Sequence, residues 1–292
     1  MKNVKVGFVG LGTMGAPMAA NIAKSGFSLK LYDVNQETAK TVGEHIGATV
    51  ISDVASLTDC QYVIFMLPNS EIVQSILFDD EALRVAFDSD TILIDMSSSD
   101  PIDTVQTGKQ LAAHGIRLVD APVSGARERA AEGTLSIMLG AEDDSTANGV
   151  VPVLESMSRE IYRTGKLGTG HAMKALNNFV AAASFVASSE ALIAGERFGL
   201  NPKVMVDIFN ASTGQSFVTT HVLPKHVVGS EFASGFSLPL MTKDVKIATA
   251  LKRGLGQVAP VSEAVSGALT DALDRLGDVD HTRAYEFWET KK

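Results

Sequence analysis

The sequence is short of the residues that staple small or metal-dependent folds. Among 292 residues it has one cysteine, Cys60, and one tryptophan, Trp288. A lone cysteine forms no internal disulfide, and no Cys/His spacing resembles a zinc site, so the chain fits a reducing compartment and offers no structural metal site. Positive clusters are also missing. The balance of 25 Lys and Arg against 34 Asp and Glu gives a net charge of −9, which repels a phosphate backbone over most of the surface and excludes nucleic acid as an expected partner. No apolar stretch reaches the roughly 18–20 residues needed to span a bilayer without a charge interrupting it, so no membrane partner is expected. There is no low-complexity tract, and 45% apolar with 20% charged residues is ordinary globular usage. At this length two domains, or one large one, are expected.

The opening MKNVKVGFVGLGTMGAPMAA superficially resembles a secretory signal. Gly7, Gly10, Gly12, Gly15 and Pro17 make a poor continuous apolar helix and suit a strand, a tight turn and a helix start instead. A soluble cytoplasmic protein is therefore expected.

Over the first 165 or so residues short β-rich runs alternate with helix-like segments. Val4–Val9, Leu29–Tyr32, Tyr62–Leu67, Thr91–Asp95, Arg117–Val123 and Leu135–Leu139 read as strands, and Met14–Ser25, Ser70–Leu77 and Pro101–His114 as helices. Several strands are nearly continuous apolar runs, as a parallel sheet covered on both faces requires, so the pattern is a doubly wound, Rossmann-type α/β domain over 1–165. Beyond Gly165, Gly168 and Gly170, an alanine-rich stretch reads as one helix over about 171–198, roughly 40 Å long. Pro202–Asn210, Met241–Arg253 and Val261–Leu276 are also helical, giving an all-α domain over 166–292, joined to the first through the long helix.

Gly10-Leu11-Gly12-Thr13-Met14-Gly15 is G-x-G-x-x-G placed directly after a strand and opening a helix. The first glycine permits the turn, the second lets backbone approach a pyrophosphate, and the third lets helix and strand pack with the helix N-terminus toward the anion. The next strand ends at Asp33, 18 residues beyond Gly15, where a carboxylate accepts hydrogen bonds from ribose hydroxyls and repels a 2′-phosphate. Val34, Asn35 and Gln36 bring no cation, so NAD is favoured over NADP. Two more strand ends should complete the cleft, Leu67-Pro68-Asn69 and Asp95-Met96-Ser97-Ser98, with Pro68 shaping the turn and Ser97 either bonding the cofactor or capping a helix.

Several motifs in order resemble the β-hydroxyacid dehydrogenases, which include 3-hydroxyisobutyrate dehydrogenase and tartronate semialdehyde reductase. Gly7 to Ala19 is similar to that family's cofactor signature, and Asp120-Ala121-Pro122-Val123-Ser124-Gly125 with Gly133-Thr134-Leu135 to its substrate loop. Gly168-Thr169-Gly170-His171-Ala172-Met173-Lys174-Ala175-Leu176-Asn177-Asn178 resembles its catalytic motif, and Met241-Thr242-Lys243-Asp244 its C-terminal cofactor contact. The likeness runs through nearly the whole chain. The 6-phosphogluconate dehydrogenases share the architecture, including the helical domain, but this chain is too short and too acidic for a sugar phosphate.

Oxidising an alcohol with NAD needs a general base beside the nicotinamide and no metal. Lys174, in the first turns of a mostly apolar helix, is the candidate acid and base. Asn178, four residues on and so on the same face, either bonds the reacting hydroxyl or holds Lys174, and the resemblance assigns it to the active site; Asn177 points about 100° away. Ser124 offers a hydroxyl and Gly125 and Ala126 offer backbone N–H groups for the substrate carboxylate. Ala126 stands where the family pattern has a second glycine, so a left-handed backbone there would cost on the order of 1 kcal/mol. Arg127 either reaches a second anionic group or, the favoured reading, lies on a solvated first helical turn. The resemblance places Lys243 near the cofactor, Phe236 either lines the substrate pocket or belongs to the core, and His171 reads as helix N-terminal packing.

The expected function is an NAD-dependent oxidoreductase interconverting a short β-hydroxyacid and its semialdehyde. An imine reductase and a non-catalytic dinucleotide-sensing module on the same scaffold are the competing readings; Lys174 and the Ser124-Gly125 loop count against both. The alanine-rich helical domain is expected to expose an apolar face that a second subunit covers, giving a homodimer or homotetramer.

Overall fold

The computed structural model describes residues 4–79, 87 and 90–290. The chain divides into two compact units, Met1–Lys174 and Ala175–Lys292.

Among the described residues the first unit is built on nine strands: β1 (Lys5–Val9), β2 (Ser28–Tyr32), β3 (Thr49–Val50), β4 (Tyr62–Phe65), β5 (Ile92–Asp95), β6 (Arg117–Asp120), β7 (Val123–Ser124), β8 (Leu135–Ala141) and β9 (Ser158–Gly165). They order as β3-β2-β1-β4-β5-β6-β8-β7, with β9 also paired to β8. From β3 through β6 every pairing is parallel, and β8 runs antiparallel to β6 and β7. Strand order reverses between β1 and β4, which puts the ligand cleft of an open α/β sheet outside the carboxyl ends of those two strands.

Alternation along the strands builds a core on each face. Val6, Phe8, Ile64 and Ile94 point to one side, under α1 (Gly15–Lys24). Val9, Val63, Phe65 and Leu93 point to the other, with Val73 and Leu77 of α3 (Ser70–Phe78) and Leu111 of α4 (Pro101–Ala112). Burial on both sides removes the polar alternation of a one-faced sheet. Helix α2 (Gln36–Ile46), which apolar periodicity alone does not announce, is started by Asn35, whose side chain accepts the Glu37 and Thr38 N–H groups.

Two departures from the sequence expectation have simple causes. The run Arg117–Val123 is two strands. Pro122 has no N–H for a ladder, and past it Val123 and Ser124 pair with Ile137 and Ser136 of β8. The strand β9 is not announced by the sequence: its Ser-Arg-Glu-Ile-Tyr-Arg-Thr-Gly run is mostly exposed and carries three charges, as a protected edge should. The unit also carries α5 (Ala126–Glu132) and α6 (Asp144–Leu154).

The unit boundary falls within one helix, α7 (Thr169–Phe198). By length and composition this helix is apolar enough to cross a membrane, yet Ala182, Phe185 and Leu192 are fully buried in the helical core. The second unit adds α8 (Pro202–Ala211), a π-helical segment (Val218–Val227), α9 (Leu238–Gly254), α10 (Pro260–Leu276) and α11 (Ala284–Thr290). Leu223, Leu238, Val245, Leu269 and Ala272 fill its core. Several large apolar side chains stay outside it, with Phe198 87% exposed and Phe217 68% exposed.

Candidate active site

The glycine loop between β1 and α1 shows three different reasons for its glycines. Gly10 has φ +95°, and a Cβ there would lie 2.3 Å from the Met66 carbonyl oxygen. A Cβ on Gly15 would lie 1.9 Å from the Gly10 carbonyl oxygen. Gly12 differs: a Cβ there would meet nothing within 4 Å, so neither backbone conformation nor internal packing requires glycine. Close approach of a ligand is the reason the fingerprint gives for it, and α1 follows its N-cap Met14 with no side-chain cap and no acidic residue in its first turn. These residues fit a dinucleotide pyrophosphate.

Asp33 at the end of β2 is tied to that loop. Its Oδ2 accepts the Leu11 N–H at 2.7 Å and its Oδ1 accepts the Asn35 N–H at 2.8 Å. Thr13 lies within the loop, and Val34 beside Asp33 is exposed. On the neighbouring strand ends, the Asn69 side chain caps α3 by accepting the Ile72 N–H, while Pro68 precedes it in the turn. Ser97 is fully buried, and its hydroxyl accepts the Leu67 N–H at 2.9 Å. It does not cap a helix; Asp100 does that for α4, accepting the Ile102 N–H.

The loop after β7 carries the left-handed backbone that the sequence made costly. Gly125 has φ +141° and Ala126 φ +55°. A Cβ at Gly125 would meet the Arg129 side chain at 2.7 Å, so that side chain runs directly beneath the loop. Arg127 is exposed on the first turn of α5, as the favoured reading had it.

Lys174 is half-buried in the second turn of α7, and Asn178 follows it one turn on. Asn178 Nδ2 donates to Asp244 Oδ2 at 2.6 Å, and Asn177 Nδ2 donates to Asn178 Oδ1 at 3.2 Å. Asp244 is buried on α9, with Lys243 Nζ 3.7 Å from its Oδ1. Phe236 is half-buried against the helical core, its ring edge-on to His281 at 6.0 Å. Its carbonyl accepts the His281 N–H at 3.0 Å.

One constellation escaped sequence reasoning. Asp120, fully buried at the end of β6, accepts the N–H groups of Gly168 and His171 at 2.7 and 2.8 Å. Burial pushes its carboxyl above the usual carboxylate range, against the opposing pull of His171 and of these two donors. His171 Nδ1 lies 2.8 Å from Thr104 Oγ1, and its Nε2 is 3.8 Å from Asp95 Oδ2. No local pattern links positions 51 residues apart such as these; only the Gly-Thr-Gly before His171 hints that something approaches closely.

Comparison with known proteins agrees with this geometry. Residues 5–165 match a family model described as the NAD binding domain of 6-phosphogluconate dehydrogenase. Residues 168–288 match one described as NAD-binding of NADP-dependent 3-hydroxyisobutyrate dehydrogenase. A 2-(hydroxymethyl)glutarate dehydrogenase of Eubacterium barkeri is 35% identical over 85% of this chain and 82% of its own. The mitochondrial 3-hydroxyisobutyrate dehydrogenase of Drosophila melanogaster is 34% identical over 98% of this chain and 90% of its own. The solved 3-hydroxyisobutyrate dehydrogenase of Mycobacterium tuberculosis with L-serine superposes with a TM-score of 0.89 at 30% identity, covering 98% of this chain and 99% of that one. An imine reductase from Pseudomonas sp. shares the fold at 15% identity, over 97% of this chain and 98% of its own, with a TM-score of 0.60. With both family models matched in sequence and relatives above 30% identity along most of its length, the chain belongs to the β-hydroxyacid dehydrogenase family.

Proposed function

We propose that the protein is a cytoplasmic NAD-dependent dehydrogenase that interconverts a short β-hydroxyacid and its semialdehyde, with Lys174 as general acid and base. The observation that carries this reading is the pair Lys174 and Asn178 on successive turns of α7, with the Asn178 amide fixed by the buried carboxylate of Asp244. Bound nicotinamide supplies the hydride acceptor. Lys174 Nζ, in its neutral form, takes the hydroxyl proton as the carbon–hydrogen bond breaks and the carbonyl forms, and passes that proton to solvent. In the reverse direction its ammonium polarises the carbonyl and returns the proton. Ser124 and the N–H groups of Gly125 and Ala126 hold the substrate carboxylate, and Asn178 orients the reacting oxygen. Phe236 and Lys243 are assigned to substrate and cofactor by the family resemblance alone.

Asp33 supports NAD over NADP. Its carboxylate sits at the end of β2 within reach of the glycine loop, and an added 2′-phosphate would face it with no cation at Val34, Asn35 or Gln36. The exposed Phe198 and Phe217 support a homodimer or homotetramer.

The test is an assay of the purified protein with NAD and NADP against 3-hydroxyisobutyrate, 2-(hydroxymethyl)glutarate, D-glycerate, 4-hydroxybutyrate, L-threonate and L-serine, with the matching aldehydes and reduced cofactors run in reverse. NAD-linked turnover of one β-hydroxyacid is the expected result. Reduction of cyclic imines with no hydroxyacid turnover, or NADH binding with no turnover of any compound, contradicts it.

A further inference from the structure

The N-terminus of the helix that carries Lys174 answers to a single distant carboxylate. An α-helix leaves its first N–H groups without partners, and a capping box normally satisfies two of them with local side chains at the N-cap and N3 positions. In α7 the N-cap is Gly168, which has no side chain, and N3 is His171; the first intrahelical bond runs from Ala172 N–H to the Gly168 carbonyl. Asp120 takes both orphan N–H groups, Oδ1 from Gly168 and Oδ2 from His171. It is a capping box supplied by one carboxylate from the sheet.

Space for that carboxylate is cleared on two sides, and a third glycine is required for a different reason. A Cβ on Gly140 would lie 2.3 Å from Asp120 Oδ1. One on Gly170 would lie 2.8 Å from Asp120 Oδ2 and 2.2 Å from the Met138 carbonyl oxygen. Gly168, at φ +90°, would meet Val105 Cγ2 at 2.7 Å.

The His171 ring adds a third attachment. Thr104 Oγ1 donates its one hydrogen to the Asp100 carbonyl at 2.9 Å, so the 2.8 Å contact requires His171 Nδ1 to carry a hydrogen and donate it to Thr104. The ring is fully buried, with Asp95 Oδ2 3.8 Å from Nε2 and Asp120 Oδ2 3.8 Å from Nδ1. The first turn of α7 is thereby bolted to the end of β6 and to α4, and Lys174 comes three residues, about 4.5 Å of rise, after His171.

We propose that Asp120 and His171 are positioning residues for the reaction: the Asp120 carboxylate and the His171–Thr104 bond fix the height and rotation of α7, and through them the place of the Lys174 ammonium. The proposal rests on the reading of Lys174 as acid and base. A helix free to rotate by one residue turns Lys174 through about 100°, and a displacement of about 1 Å at a reacting group can cost on the order of 10²-fold in rate.

Asp120→Asn keeps the shape but sets an amide N–H against one of the two backbone N–H groups. Its expected effect is a fall in kcat of about tenfold or more. KM for the hydroxyacid stays within about threefold, because the Ala121 N–H to Asp95 carbonyl bond of 2.8 Å still holds the strand that leads to Ser124. The kinetic isotope effect on kcat with substrate deuterated at the carbinol carbon rises, since a misplaced acid and base slows the chemical step itself. His171→Ala should show the same pattern, and His171→Asn, whose amide can still donate to Thr104, should recover part of it. NADH affinity should stay within about twofold in all three.

Lys174→Ala, measured in parallel, separates the two claims. If it is inactive while Asp120→Asn and His171→Ala keep wild-type kcat and isotope effect, the positioning role is wrong and the reading of Lys174 stands. If Lys174→Ala keeps its turnover, both fall. If Asp120→Asn does not fold, the His171 pair decides: equal kcat in the Ala and Asn variants overturns the proposal.

Discussion

Asn178 and Asp244 meet in a hydrogen bond of 2.6 Å, the amide Nδ2 donating to a carboxylate that is 4% exposed. A buried carboxylate that accepts from an amide fixes which end of the amide is oxygen, so the Asn178 orientation is set from α9 and not by its own rotamer preference. Asp244→Ala should release that orientation. We expect a stability loss of about 1 kcal/mol, from a half-buried amide left without its acceptor, and a fall of at least tenfold in kcat. Thermal unfolding and steady-state rates check both. Unchanged kcat in a stable variant would remove Asn178 from the reaction.

Cofactor choice is expected to turn on Asp33. Replacing it with Asn removes the charge that repels a 2′-phosphate and weakens the hold on the Leu11 N–H. The ratio of kcat/KM for NAD to that for NADP should drop by tenfold or more, chiefly through a poorer KM for NAD. A ratio that does not move means that another residue selects the cofactor.

Ala126 holds a left-handed backbone at φ +55° in the loop that reads as the carboxylate site. Glycine adopts that conformation without the Cβ penalty, so Ala126→Gly should stabilise the protein by about 0.5 kcal/mol, the balance left once the added entropy of the unfolded chain is set against that penalty. Denaturant midpoints of the two proteins decide it. An equal or lower midpoint in the glycine variant contradicts the strain.

His281 is buried between Phe185 and Phe236, at ring distances of 4.9 and 6.0 Å. Desolvation lowers its pKa, against the opposing pull of the Phe236 carbonyl and of Asp280. A histidine whose folded pKa is depressed contributes stability that is present above the unfolded pKa of about 6.5 and lost as pH falls toward the folded value. The denaturant midpoint should therefore fall below about pH 6.5 in the wild type, and fall less in His281→Gln. Parallel pH dependences in the two proteins would contradict the assignment.

How far the fold was legible depended on where the signal lay. The glycine loop, the buried strands β1, β4 and β5 and the helix carrying Lys174 all write their structure locally, as spacing and apolar periodicity. The strand β9 does not, because an exposed edge strand needs no apolar face, and the break between β6 and β7 hangs on Pro122 alone. In the site, Lys174 and Asn178 share a helix, so their relation is visible at four-residue spacing. Asp120 acts on Gly168 and His171 across a crossover, and Asp244 on Asn178 between helices 66 residues apart, so each partner is set by tertiary packing. Ser97 shows the same limit: its type suited a helix cap, but the fold gives its hydroxyl to the Leu67 N–H.

The most direct test of the account is the turnover of Lys174→Ala on whichever hydroxyacid the wild type oxidises, measured beside its NADH affinity. The account predicts a fall in kcat of about 10²-fold or more, the range expected for loss of a general acid and base, with NADH affinity nearly unchanged. A variant that binds NADH normally and turns over within tenfold of the wild type would contradict it.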